Sequence, residues 1–245
     1  MKLRHITFIL ALAGAVTFFS CQATAQQSNV YKNVNYTIGN FNSISSNTIA
    51  NIIVKQDNAT ALRVEGNERL INNLKIYVKN NILYINMKDE RMHNRNFLKR
   101  NNKLSIYVTT PQLRSLSRAG VGNISLEGTF NAPNLTIKNE GVGNITSENL
   151  VANTLNVTSE GVGNITLKGR TNNLTIDNQS VGNVNAEGMI AKNAKVSSDG
   201  VGNVHFYASE SMDVESDGVG NVTYYGNPKV KNIEKDGVGR VKAGN

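Results

Sequence analysis

The chain has few of the residues on which most enzymes depend. Among its 245 residues there are one cysteine, three histidines and no tryptophan. The lone Cys21 leaves no disulfide to hold a fold. Beyond the first two dozen residues only His93 and His205 remain, and no G-x-S-x-G, H-E-x-x-H or P-loop pattern occurs. These absences argue against an imidazole-assisted nucleophile and against a closed zinc site, whose favoured ligands are missing. Neither catalysis, a metal nor a cofactor is expected. The lack of tryptophan removes the largest platform for a sugar ring. Helical periodicity is also missing beyond the first 25 residues, so the chain reads as all-β.

What the chain does have is glycine and asparagine in a fixed cadence. Copies of Gly-Val-Gly-Asn begin at Gly120, Gly141, Gly161, Ser180, Gly200, Gly218 and Gly237, 18 to 21 residues apart. A period near twenty marks stacked repeats. Apolar and polar residues alternate after each motif, as in Asn164-Ile165-Thr166-Leu167-Lys168-Gly169, and again in Asn173-Leu174-Thr175-Ile176. Alternation of this kind means strands. The spacing therefore predicts a parallel β-helix over residues 120–245, with seven coils stacked into a rod about 34 Å long. Its inward files would be Ile124, Ile145, Ile165, Val184, Val204, Val222 and Val241, and Leu135, Leu155, Leu174, Ala194, Met212 and Val230. The second glycine of each copy (Gly122, Gly143, Gly163, Gly182, Gly202, Gly220, Gly239) is never replaced among the repeats, which points to positive φ or a close backbone approach. The first tolerates Ser180. The following Asn123, Asn144, Asn164, Asn183, Asn203 and Asn221 are expected to stack amide on amide. Arg240 ends that ladder and blunts an open edge.

Residues 1–25 read as a secretory signal. Lys2 and Arg4 precede an apolar run of fourteen residues from Ile6 to Phe19, and Ala23-Thr24-Ala25 forms a small-residue cleavage site. In the alternative, Phe18-Phe19-Ser20-Cys21 acts as a lipoprotein box and Cys21 is the lipidation site. Either reading exports the chain to the periplasm, outer membrane or extracellular surface. Residues 26–50 are polar and read as a tether, and 51–119 as a strand-rich portion. Asn80-Asn81 between alternating runs predicts a hairpin turn. Residues 88–103 look like an excursion loop carrying Lys88, Arg91, Arg95, Lys99, Arg100 and Lys103. Charge divides along the chain: residues 26–119 carry 14 cations and 5 acids, and residues 120–245 carry 10 and 13.

The signal, the strand-rich portion, the approach Thr110-Pro111-Gln112-Leu113-Arg114-Ser115-Leu116 and the repeated Gly-Val-Gly-Asn-Ile phrases together resemble the auto-transporter adhesin head GIN domain family over roughly residues 30–240. The resemblance implies a right-handed, pectate-lyase-like β-helix in envelope proteins of Bacteroidetes-type bacteria, with an adhesin-like role. It supplies no catalytic residue to carry over.

Candidate surfaces follow from the files. Tyr207 and Tyr225 should project outward in adjacent coils beside His205, a platform for a sugar ring or a protein's apolar patch. Glu127 and Glu148 could sit one coil apart, as glycoside chemistry would need, but a regular ladder offers no pocket to separate their pKa values. Acids precede most motifs (Glu140, Glu160, Asp199, Asp217, Asp236), a set of oxygen ligands suited to calcium or simply a solvated turn. The basic loop could meet phosphates or acidic glycans. A glycan or surface protein is the expected partner, with the membrane met only through the signal or a lipid anchor. Nucleic acid is a poor partner for an acidic repeat body. A scaffold without a ligand and a carbohydrate-active β-helix remain the alternatives.

Overall fold

The structure is a computed structural model and describes residues 30–89 and 103–244. Its repeat region is a parallel β-solenoid. Strands β9 (Ile124–Asn139), β10 (Ile145–Ser159) and β11 (Ile165–Asn178) each run through most of a turn. In the later turns the path is divided among β12 (Val184–Ala186), β13 (Met189–Ser198), β14 (Val204–Tyr207), β15 (Ser211–Ser216), β16 (Val222–Tyr225), β17 (Val230–Lys235) and β18 (Val241–Ala243). Every pairing among these strands is parallel and joins like positions of neighbouring repeats. The seven corners bound about six turns.

Register explains the core. Ile124, Ile145, Ile165, Val184, Val204 and Val222 stack as direct partners and are at most 1% exposed. Leu135, Leu155, Leu174, Ala194 and Met212 form the second inward file. Each fully buried aliphatic side chain contributes roughly 1.5–3 kcal/mol, so the files are the main source of stability. Val241 is only half-buried in the last turn. Val230 does not continue its file: it is 64% exposed, and Lys231 is the partner of Met212. The cause is one extra residue between Tyr225 and the next strand, which reverses the parity of a period-two element.

The N-terminal segments correct the expected layout. Residues in the supposed tether form β1 (Tyr31–Tyr36) and β2 (Ser43–Asn47), and Phe41, Ile44, Ile49 and Ala50 are buried. Beyond them lie β3 (Asn51–Gln56), β4 (Ala61–Asn67), a one-turn helix α1 (Glu68–Asn72), β5 (Leu74–Lys79), β6 (Ile82–Met87), β7 (Leu104–Thr110) and β8 (Ser115–Arg118). β2 pairs in parallel with both β6 and β8, and β3 with both β7 and β9. The solenoid therefore begins before residue 120. Thr48-Ile49-Ala50-Asn51-Ile52 occupies the corner below Gly120-Val121-Gly122-Asn123-Ile124: Val121 N–H donates to Thr48 O at 2.7 Å and Asn123 N–H to Asn51 Oδ1 at 2.9 Å. Antiparallel strands close this end, with β4 on β7, β1 on β4 and β5 on β6. The Asn80-Asn81 turn has φ of 51° and 61°, the left-handed pair that a two-residue hairpin needs.

One inward file is polar. Ser46, Arg118, Asn139, Ser159, Asn178, Ser198 and Ser216 are partners in successive turns and all are buried. Arg118 is held by Asn139 Oδ1 (2.6 Å from Nη2) and by the carbonyls of Gly122 and Gly143. Desolvation lowers its pKa to about 10.

Candidate binding surfaces

Each corner is stitched to the next through the backbone. Val162 N–H donates to Gly141 O at 2.9 Å, Gly163 N–H to Val181 O at 3.0 Å, and Ile165 N–H to Asn183 O at 2.9 Å. The asparagine joins this network differently from amide-on-amide stacking. Its Oδ1 accepts the backbone N–H of the Asn one turn on: Asn144 to Asn123, Asn164 to Asn144 and Asn183 to Asn164 at 2.9 Å, Asn203 to Asn183 at 2.8 Å, and Asn221 to Asn203 at 3.0 Å. Side-chain amides also approach at 3.4 Å at Asn203 and Asn221, a weaker contact. Arg240 then has a simple explanation. Its N–H donates to Asn221 Oδ1 at 3.1 Å, and no described turn follows that would need an acceptor from it. Because these N–H groups are bonded to the neighbouring turn, the second Gly and the Asn of the inner copies, Gly122 to Asn221, have none left to cradle a phosphate.

The same stitching turns one side chain per corner outward. Val142, Val162, Val181, Val201, Val219 and Val238 are parallel bridge partners and stand 43 to 72% exposed. They form an aliphatic ridge about 24 Å long at the usual inter-strand spacing. The Asn file runs along one side, and Glu140, Glu160, Gln179, Asp199, Asp217 and Asp236 along the other. Lys138 relieves the repulsion at the first two acids, lying 2.6 Å from Glu140 and 3.4 Å from Glu160. Its pKa is raised, mainly by the hydrogen bond to Glu140. Among the described residues no group of three or more His, Cys, Asp or Glu converges as a metal cluster would.

The aromatic residues meet on an adjacent face. Tyr207 and Tyr225 are direct strand partners and both are half-buried. The His205 and Tyr225 rings stack with centroids 6.3 Å apart, and Tyr225 Oη lies 3.5 Å from His205 Nδ1. Desolvation, then the hydrogen bond to Glu187, raises the Tyr225 pKa. Farther along this column, charges are paired. Glu148 lies 2.6 Å from Lys168, and Glu127 3.3 Å from Lys55. Each carboxylate is held by a cation across the ladder.

Comparison with known proteins places this geometry. The profile of the family described as "Putative auto-transporter adhesin, head GIN domain" matches residues 40–228. The chain belongs to this family. The crystal structure of a "putative adhesin" from Bacteroides fragilis has a TM-score of 0.83 at 33% identity, covering 88% of this chain and 98% of that one. A "putative lipid binding protein" from Parabacteroides distasonis has a TM-score of 0.62 at 19% identity, covering 86% and 96%. A "putative adhesin" from the same species has 0.62 at 17% identity, covering 88% and 98%. The latter two likenesses concern the fold alone. No curated protein matches.

Cys21 and the basic positions Arg91, Arg95, Lys99 and Arg100 lie outside the described residues. Lys88 anchors to the backbone, with Nζ 2.7 Å from Asn72 O, and Lys103 is exposed just before β7. The valine ridge is the surface that sequence reasoning missed. Its signal was present: all seven corners keep Val, although the core positions vary among Ile, Leu, Val, Ala and Met.

Proposed function

We propose that the chain is a non-catalytic, exported adhesin-like module that grips a surface partner, a glycan or a protein, along the corner edge of its solenoid. The observation that carries this reading is the unbroken file of exposed valines. Contiguous exposed apolar surface rimmed by polar groups is characteristic of interaction sites. Here the rim is supplied by asparagine amides on one flank and carboxylates on the other, which orient a partner that the aliphatic ridge desolvates. Tyr207, Tyr225 and His205 offer a second contact around the side. Family membership agrees with the adhesin-like role, and the paired carboxylates of the ladder favour binding over hydrolysis.

The test is an array of glycans and envelope or host surface proteins probed with the chain from Gln26 onward. Val162→Asp with Val181→Asp should weaken any captured ligand by more than tenfold, about 1.4 kcal/mol. The fold should be kept, since both side chains face solvent. Tyr207→Ala with Tyr225→Ala reports on the second contact. Binding untouched by the valine pair, or no ligand at all, would remove the corner edge from the account and favour a scaffold role.

A further inference from the structure

The final turn departs from several files at once. Where lower turns place Met212, Ser216, Asn221 and Thr223, the last one places Lys231, Lys235, Arg240 and Lys242 in register. Lys229 precedes them, and all five cations are exposed. The change is abrupt. Residues 120–228 carry 5 cations and 11 acids, whereas residues 229–244 carry 5 and 2. None of the five is in an ion pair among the described residues. Lys235 Nζ bonds only to the Gly237 carbonyl at 2.8 Å, and Lys231 Nζ lies 5.3 Å over the Tyr224 ring.

Among the described residues this end is also the open one. Among the described strands β17 pairs only with β15, and β18 only with β16. Val230, Ile233 and Val238 stand 64%, 43% and 72% exposed among the cations. The opposite end is closed by antiparallel strands.

We propose that this cationic end face seats the solenoid end-on upon an anionic lipid surface. The lysines and arginine meet lipid phosphates, and the three apolar side chains enter the headgroup boundary. Charge complementarity selects the occupant. A second copy presenting the same end would bring five more cations against these five. An anionic membrane attracts the tip and repels the acidic flanks, so the field itself sets the rod upright and leaves the corner edge free along its length. Inward lysines on an end strand also discourage pairing with another chain. That reading predicts a different experimental outcome.

Cosedimentation of the chain from Gln26, which holds every described element, tests the proposal. The probes are vesicles of phosphatidylcholine and vesicles of equal parts phosphatidylcholine and phosphatidylglycerol. Binding is expected on the anionic vesicles alone, and it should fall as salt is added. At about fivefold per cation removed, Lys231→Glu with Lys242→Glu should reduce partitioning at least about 25-fold. Val238→Asp should weaken it separately. Lys195→Glu, the same kind of substitution placed on the flank, should have little effect. Circular dichroism checks that each variant keeps its strands. Equal binding to neutral vesicles, no binding to either, or an equal loss with Lys195→Glu would overturn the proposal. So would self-association of the end-face variant on a sizing column with vesicle binding unchanged, which would assign the cations to edge protection.

Discussion

Replacing Gly163 with alanine tests the stacking of the corners most directly. At this position φ is +135°, and a Cβ would stand 2.3 Å from Gly143 O and 2.7 Å from its carbonyl carbon. Clearing both requires the corner to move away from the turn below. The displacement stretches two bonds to that turn, Val162 N–H to Gly141 O and Asn164 N–H to Asn144 Oδ1, each now 2.9 Å. Losing two such bonds costs about 1–3 kcal/mol, and placing a side chain in this φ region costs about 1–3 kcal/mol more. The expected total is about 4 kcal/mol, or about 8–16 °C in melting midpoint for a chain of this size. Gly128 supplies the control. Its φ is +83°, but nothing lies within 4 Å of its virtual Cβ, so Gly128→Ala carries the backbone strain without the clash. It should cost about 1 kcal/mol. Because repeat arrays can unravel in parts, both variants should be followed by circular dichroism and tyrosine fluorescence together. Equal losses for the two would mean that the corners are not packed backbone on backbone, and the reasoning about ridge and ladder would fail with that premise.

Two further outcomes follow from the files. Asn164→Ala should cost about 1 kcal/mol by orphaning the Asn183 N–H, while Asn164→Asp, which keeps an acceptor, should cost less than half of that and Arg240→Ala nothing measurable in denaturant midpoint. Equal losses for Ala and Asp would restore amide stacking as the cohesive contact. Tyr225 should ionise above the ordinary tyrosine value of 10, because burial and then Glu187 oppose the phenolate. The sign follows: the folded state holds this proton more tightly than the unfolded state, so its contribution is full below 10 and disappears as pH rises through the folded value. Ultraviolet difference titration against Tyr225→Phe reads the midpoint, and Glu187→Gln should lower it. An unmoved midpoint would remove Glu187 as a cause.

The repeat body was legible because its two signals, period twenty and period two, are local to each turn. The first inward file from Ile124 to Val222 could be written down from order alone. Three features escaped for separate physical reasons. The lowest corner was hidden because Thr48, Ile49 and Ala50 replace Gly, Val and Gly, and because its partner lies 72 residues away at Asn123. Long-range pairing of this kind leaves no local trace. Val230 was misplaced because a single added residue in the loop before β17 makes Lys231, and not Val230, the partner of Met212. The outward valines escaped because they sit in the corner, where strand alternation is interrupted and parity says nothing about direction. The aromatic pair was placed correctly in adjacent turns, but its stacking with His205 and the approach of Glu187 depend on side-chain geometry that spacing does not encode.

The position of β2 and β3 has a consequence for assembly. These strands come early in the chain, yet they lie between one layer made by β6 and β7 and another begun by β8 and β9. A polypeptide emerging from its N-terminus cannot finish that layer until Arg118 and the residues after it have also emerged. Growth of the rod is therefore not a simple winding from the first residue onward. The early strands can be covered on one edge by β6 and β7 but must wait with the other edge bare, so the nucleus is a non-local one in which the closed end and the first Gly-Val-Gly-Asn turn form together, and the remaining turns add onto it in sequence order.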